Sequence, residues 1–103
     1  MAKKDDRLTA ALHTAAAEFI NRESNRRSLI TVTSVEWPEG DKRARIFVSV
    51  FPASQTPAAM DFLSRQHDEF MAFLKKRVKL HMLPHVSFLP DPEMTRVENS
   101  ENA

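Results

Sequence analysis

The sequence predicts one α+β domain in the order α-β-β-α-β, a three-stranded mixed sheet with its helices packed on one face. Three observations predict it. Two stretches carry apolar residues at helical spacing, two strand-like stretches flank a turn between them, and a third strand-like run follows a proline. A sheet with one apolar face must bury it, and the two helical stretches are what the chain has available for that purpose.

The first helix is read over residues 5–23, DDRLTAALHTAAAEFINRE. Leu8, Leu12, Ala15 and Phe19 form an apolar stripe at steps of 4, 3 and 4 residues. Asp5 or Asp6 suits the helix start, and the alanines at 15–17 favour helix and close packing. After the polar connector SNRRS, residues 29–36 (LITVTSVE) are rich in β-branched side chains and read as a strand. WPEGDK supplies Pro38, Gly40 and Asp41, which is turn chemistry. In RARIFVSVF, residues 43–51, Ala44, Ile46, Val48 and Val50 face one side. Arg43, Arg45, Phe47, Ser49 and Phe51 face the other. The pair reads as an antiparallel hairpin with one covered face and one open face.

Thr56 is expected to cap a second helix, with Pro57 at its first position. Its apolar pattern runs to about residue 81, with Leu63, Phe70, Leu74 and Val78 on one stripe and Phe62, Phe73 and Leu80 on the flank. His67 falls on the same stripe. Polar Gln66-His67-Asp68 in mid-helix suggests a bend, with Asp68 capping a second segment. Pro84 ends the helical conformation before it. HVSFLPD then forms an edge strand with Val86 and Phe88 toward the core, ended by Pro90 and Pro92. The last strand–helix–strand link is expected to be a right-handed crossover between parallel strands. The domain is placed at 5–91, between a disordered leader, 1–4, and an acidic, disordered tail, 92–103.

Composition narrows the function classes. The 103 residues are 42% hydrophobic and 28% charged, ordinary for a soluble domain. The absence of cysteine excludes disulfides, thiolate metal sites and a thiol nucleophile, and suits a reducing cytosol. A single glycine excludes the Gly-rich phosphate loops of Walker or dinucleotide type. No apolar run approaches a membrane span, and the charged start MAKKDD has no signal region. Net charge is +1, but residues 1–90 hold 14 Lys and Arg against 10 Asp and Glu, whereas residues 91–103 hold 1 against 4. The folded part is therefore mildly basic and the tail acidic.

Candidate contacts for a polyanion follow. Lys75, Lys76 and Lys79 lie opposite the apolar stripe, where lysine is either ordinary solvated surface or a set of phosphate contacts. Arg77 lies nearer the core flank, where its stem can snorkel. Arg43 and Arg45 alternate with Phe47 and Phe51 on the open face, which suits stacking on bases as well as a second packing surface. Arg22, Arg26 and Arg27 are accounted for by favourable charge at a helix end. His13, His67, His81 and His85 show no metal-ligand spacing and no evident carboxylate partner. Trp37 reads as a lid on the core, and Met71 and Met82 as gap fillers.

The succession ITVTSV (30–35), ARIFVSV (44–50) and LPHVSFLPD (83–91) resembles bacterial ribosome-binding factor A over roughly residues 5–91. The resemblance implies a type II KH-like fold and a cytoplasmic, monomeric RNA-binding assembly factor. It implies binding to the small ribosomal subunit and its rRNA, and help with late rRNA maturation, notably in the cold. It implies no catalysis, and with the spacing and composition above no cofactor, metal, membrane or small-molecule substrate is expected. That family carries an Ala-x-Gly bend where other KH domains clamp RNA with Gly-x-x-Gly. Counting back from Pro84 places the bend at Gln66-His67-Asp68, which has neither alanine nor glycine. The implied RNA contacts are Arg65, Gln66 and His67 at the bend, Arg43 and Arg45 on the hairpin, and Lys75, Lys76 and Lys79. Two other readings stand beside this one. The first is a protein-interaction module of the same fold that has lost RNA binding. The second is a small histidine/carboxylate hydrolase, for which no nucleophile–base pair can be named.

Overall fold

Three α-helices and a three-stranded mixed sheet make up the fold of the computed structural model, which describes residues 6–23, 28–38, 42–78 and 83–92. Helix α1 spans Asp6–Glu23, and strands β1 and β2 span Leu29–Glu36 and Arg43–Phe51. A 3-10 turn, Ala53–Gln55, leads into α2 (Thr56–Arg65) and α3 (His67–Arg77), and β3 spans His85–Pro90. The sheet order is β1-β2-β3, antiparallel between the first pair and parallel between the second. Residues 1–5, 24–27, 39–41, 79–82 and 93–103 lie outside the described set. Asp5, Gly40, Asp41, Arg26, Arg27, Leu80, His81, Met82, the expected leader and residues 93–103 of the expected tail lie there.

The alternation in β2 decides which way the sheet faces. Ala44, Ile46, Val48 and Val50 are buried, while Arg43, Arg45 and Phe51 are exposed. Val32 on β1 and Val86 on β3 join the buried side. Helix α1 contributes Leu12, Ala15, Ala16, Phe19 and Ile20, and the second helical region contributes Ala59, Leu63, Phe70 and Leu74. Leu8 packs at the margin, and Ala17 is exposed. Aromatic rings bind the layers together. Phe70 meets Phe19 at 5.4 Å and Phe88 at 5.3 Å, both edge-on, and Phe19 meets Phe73 at 5.5 Å. Such offset geometries are favoured by the ring quadrupoles.

At Thr33 the ladder shifts, because Val32 pairs with Val48 but Ser34 pairs with Phe47. The extra residue is a β-bulge. Its hydroxyl donates to the Phe47 carbonyl at 3.2 Å, which ties the bulge to the centre of β2. Because of it, both Val32 and Val35 turn toward the core. Trp37 closes the end of β1 as a lid, with its Nε1–H donating to Thr9 Oγ1 of α1 at 2.9 Å.

Several expected boundaries are corrected. Thr56 does not cap α2, since it is itself helical and the cap position, Gln55, makes no side-chain cap bond. The preceding 3-10 turn winds the chain into the helix instead, through Gln55 N–H to Pro52 O and Thr56 N–H to Ala53 O. Pro57 sits in the first turn, where it forfeits no helical bond. The long second helix is two helices. The second stops at Arg77, because Val78 is extended (φ −120°, ψ 122°). Val78 still packs against the core, but from outside the helix.

Candidate nucleic-acid interface

The junction between α2 and α3 is where the sequence placed a bend, and it is one residue wide. Gln66 has φ −92° and ψ 7°, outside the helical well but at negative φ. Its N–H still donates to Phe62 O at 3.0 Å, and its C=O accepts from Phe70 N–H at 2.8 Å. The chain therefore turns without losing these two helical bonds. An angle at negative φ is open to any L-residue, so neither alanine nor glycine is needed. No non-glycine residue among those described has positive φ. Asp68 does not cap α3; Gln66 occupies the cap position without a side-chain bond, and Asp68 and Glu69 stand in the first turn. There their charge suits the helix dipole.

His67 fastens the bend to the sheet. Its Nε2 lies 3.1 Å from the Val86 carbonyl, and its Nδ1 lies 3.4 Å from Asp68 Oδ1. A carbonyl only accepts, so Nε2 is the protonated nitrogen of that bond. Val86 belongs to the outer edge of β3. His85 N–H and Asp91 N–H turn inward to Lys42 O and Val48 O, so Val86 and Phe88, one residue out of phase, direct their backbone groups outward. His67 thus satisfies one of the edge carbonyls.

Between the bend and this edge lies a groove of about 440 Å³. Met60, Leu63 and Phe88 form its apolar floor, while Ser64, Arg65, His67, Asp68 and Ser87 supply polar groups. Arg65 is largely exposed and pairs with Asp61 one turn earlier at 3.1 Å. Groups on opposite strands connect this groove to the open sheet face. Ser87 lines the groove and is the cross-strand neighbour of Arg45, and His85 is the neighbour of Arg43.

The expected contacts therefore divide into groups. Arg65 and His67 line the groove, with Gln66 between them at the bend. Arg43 and Arg45 are exposed on the open face, one strand in from the groove. Lys75 and Lys76 are exposed in the last turn of α3 and do not line the groove. They lie eight and nine positions beyond His67, about 12–14 Å along the axis. Lys79 lies outside the described residues.

Two cations are already committed to packing. Arg77 pairs with Glu18 of α1 at 2.6 Å, and its guanidinium lies 5.3 Å from the Phe73 ring centroid. Arg22 approaches the same ring at 5.0 Å and pairs with Glu23 at 3.1 Å. Together they seal the α1–α3 seam. The sequence alone suggested the snorkelling stem of Arg77 but gave no sign of this shared ring, because the contact joins residues far apart in the chain. Among the described residues no cluster of histidine and carboxylate side chains is arranged to hold a metal ion. No helix among them is long and apolar enough to cross a membrane.

The chain matches the family model described as ribosome-binding factor A over residues 4–103. Among solved structures it is similar to the crystal structure of ribosome-binding factor A from Thermus thermophilus. The two superpose with a TM-score of 0.73 at 31% identity, covering 82% of this chain and 92% of that one. No curated protein matches it.

Proposed function

The chain belongs to the ribosome-binding factor A family, and from that premise we propose that it is an RNA-binding assembly factor of the small ribosomal subunit. Its task is to assist late rRNA maturation, with particular weight in the cold. It acts by occupancy in the cytoplasm, as a monomer, without catalysis. The observation that carries this reading is the family match along nearly the whole chain, and the groove at the helix bend supports it.

The groove lining suits contact with a phosphate backbone. Arg65 offers a charged donor at the groove mouth, and Ser64 and Ser87 offer hydroxyls beside an apolar floor. Lys75 and Lys76 extend positive charge along α3, beyond the reach of the groove itself. Arg43 and Arg45 extend it across the sheet. His67 has a different role from the direct contact expected of it: its Nε2 is engaged by Val86, so it holds the groove in shape.

Each phosphate neutralised by a lysine or arginine releases counterions, so affinity must fall as salt rises. Replacing Lys75 and Lys76 by glutamate removes two such contacts and should flatten the slope of log K against log salt by roughly 1.4 for unpaired RNA. Both side chains are exposed, so stability should change by less than about 0.5 kcal/mol. An affinity for RNA and small subunits that ignores ionic strength would overturn the phosphate-contact mechanism and favour a protein-interaction module instead.

A further inference from the structure

The face of the sheet turned away from the helices carries a pattern that neither the groove nor the lysines explain. The pairing register lays its side chains in rows. Leu29 lies opposite Phe51, then Thr31 opposite Ser49, then Ser34 beside Phe47 and Leu89, and then Glu36 beside Arg45 and Ser87. Leu29 and Phe51 are the exposed large hydrophobic residues among those described, at 65% and 64%. They form one cross-strand pair. Phe47 is half-buried four residues along the same strand, about 13 Å away. Aromatic-bearing rows thus alternate with polar rows, and the last row sets Arg45 between Glu36 and Ser87.

We infer that this face binds an unpaired RNA segment, with one nucleobase stacked on Phe51 and a second near Phe47. The inference rests on the RNA-binding reading above and names a second contact for it. Three features favour bases over a protein partner. The cores of protein interfaces are depleted in serine and charge, whereas hydroxyls stand between and beside the apolar rows here. Arg45, paired across the strands with Glu36, places a guanidinium beside the second aromatic, and cationic groups beside stacking aromatics are what hold single strands. Finally, the face meets the bend groove at Ser87, so one strand of RNA can leave the groove edge and continue over Arg45 toward Phe47 and Phe51.

The test exchanges Phe51, whose exposure keeps folding out of the question, and thermal melting checks that it does. Phe51→Ala, Phe51→Leu and Phe51→Trp are titrated against a fluorescein-labelled unpaired RNA oligonucleotide, its duplex form and isolated small subunits. Stacking predicts that the Ala and Leu variants both bind the unpaired RNA roughly 5- to 150-fold more weakly. The Trp variant should bind at least as well as the parent, with its added fluorescence quenched by RNA. Duplex binding should not respond to any of the three. If Phe51→Leu binds subunits normally while Phe51→Ala does not, the face is an apolar protein-docking surface and the inference falls. If all three variants bind like the parent, it falls as well. In either case a weakened Lys75→Glu/Lys76→Glu variant leaves the assembly-factor reading standing, whereas a parent chain that binds neither RNA nor subunits removes both.

Discussion

Replacing His67 by alanine should loosen the bend without unfolding the domain. The side chain is 42% exposed, and one bond, from Nε2–H to the Val86 carbonyl at 3.1 Å, crosses from the helices to the sheet edge. A typical intramolecular hydrogen bond contributes about 0.5–1.5 kcal/mol net. A buried orphaned carbonyl would cost more, but Val86 O faces a groove of about 440 Å³, which admits water to replace the histidine. The expected loss is therefore near 1 kcal/mol, or about 4–8 °C in Tm for a domain of this size. Glutamine reaches a comparable distance with a donor and should recover part of it. The functional effect should exceed the thermodynamic one, because the groove loses its tether. Urea denaturation gives the stability, titration with unpaired RNA gives the affinity, and exchange at the His85 and Asp91 amides, which are bonded to β2 and the residue before it, reports on the strand. A His67→Ala variant with unchanged stability and unchanged affinity would refute the tether. A loss above about 3 kcal/mol would show that His67 is a core residue and that water does not reach Val86.

Three other substitutions check the packing account. Phe70→Ala removes the ring that joins α1, α3 and β3 and should cost about 3–5 kcal/mol, read by denaturant unfolding, with Phe70→Leu costing clearly less. Trp37→Phe leaves a smaller aromatic ring without the bond to Thr9 and should cost at least roughly 0.5–1.5 kcal/mol while leaving RNA affinity unchanged. Glu18→Gln breaks a half-exposed ion pair with Arg77 and should cost about 0.2–1 kcal/mol, diminishing as salt rises, as thermal melts at two ionic strengths will show.

Much of this architecture can be read from the residues. Strand β2 announces its faces because side chains alternate strictly, and Ala44, Ile46, Val48 and Val50 leave no ambiguity of register. Helix α1 follows from its apolar stripe, and β3 from Pro84 followed by alternation. The helix ends were less legible. A stripe that includes Val78 looks helical whether or not the backbone remains so, and here Val78 meets the core in an extended conformation. Thr56 has the chemistry of a cap, but the 3-10 turn had already supplied the turn's hydrogen bonds. The bulge at Thr33 left no mark in composition, since a β-branched residue fits the strand with or without it.

The site was half visible. Polar residues in mid-helix located the bend, and the charges located the exposed lysines. That Gln66 bends at negative φ, so that glycine is dispensable, is a backbone fact with no sequence signature. That His67 spends its Nε2 on Val86 depends on a pairing across 19 positions. The rows of the open face also needed the register of three strands, with β1 antiparallel and β3 parallel to β2.

Engagement of the small ribosomal subunit through RNA can be read by sedimentation. The full chain is mixed with isolated small subunits and with assembled ribosomes, and spun through a density gradient at low and at high salt. It should travel with free small subunits at low salt, dissociate as salt rises, and leave assembled ribosomes largely unoccupied. A chain that stays at the top of the gradient under every condition is not a small-subunit assembly factor.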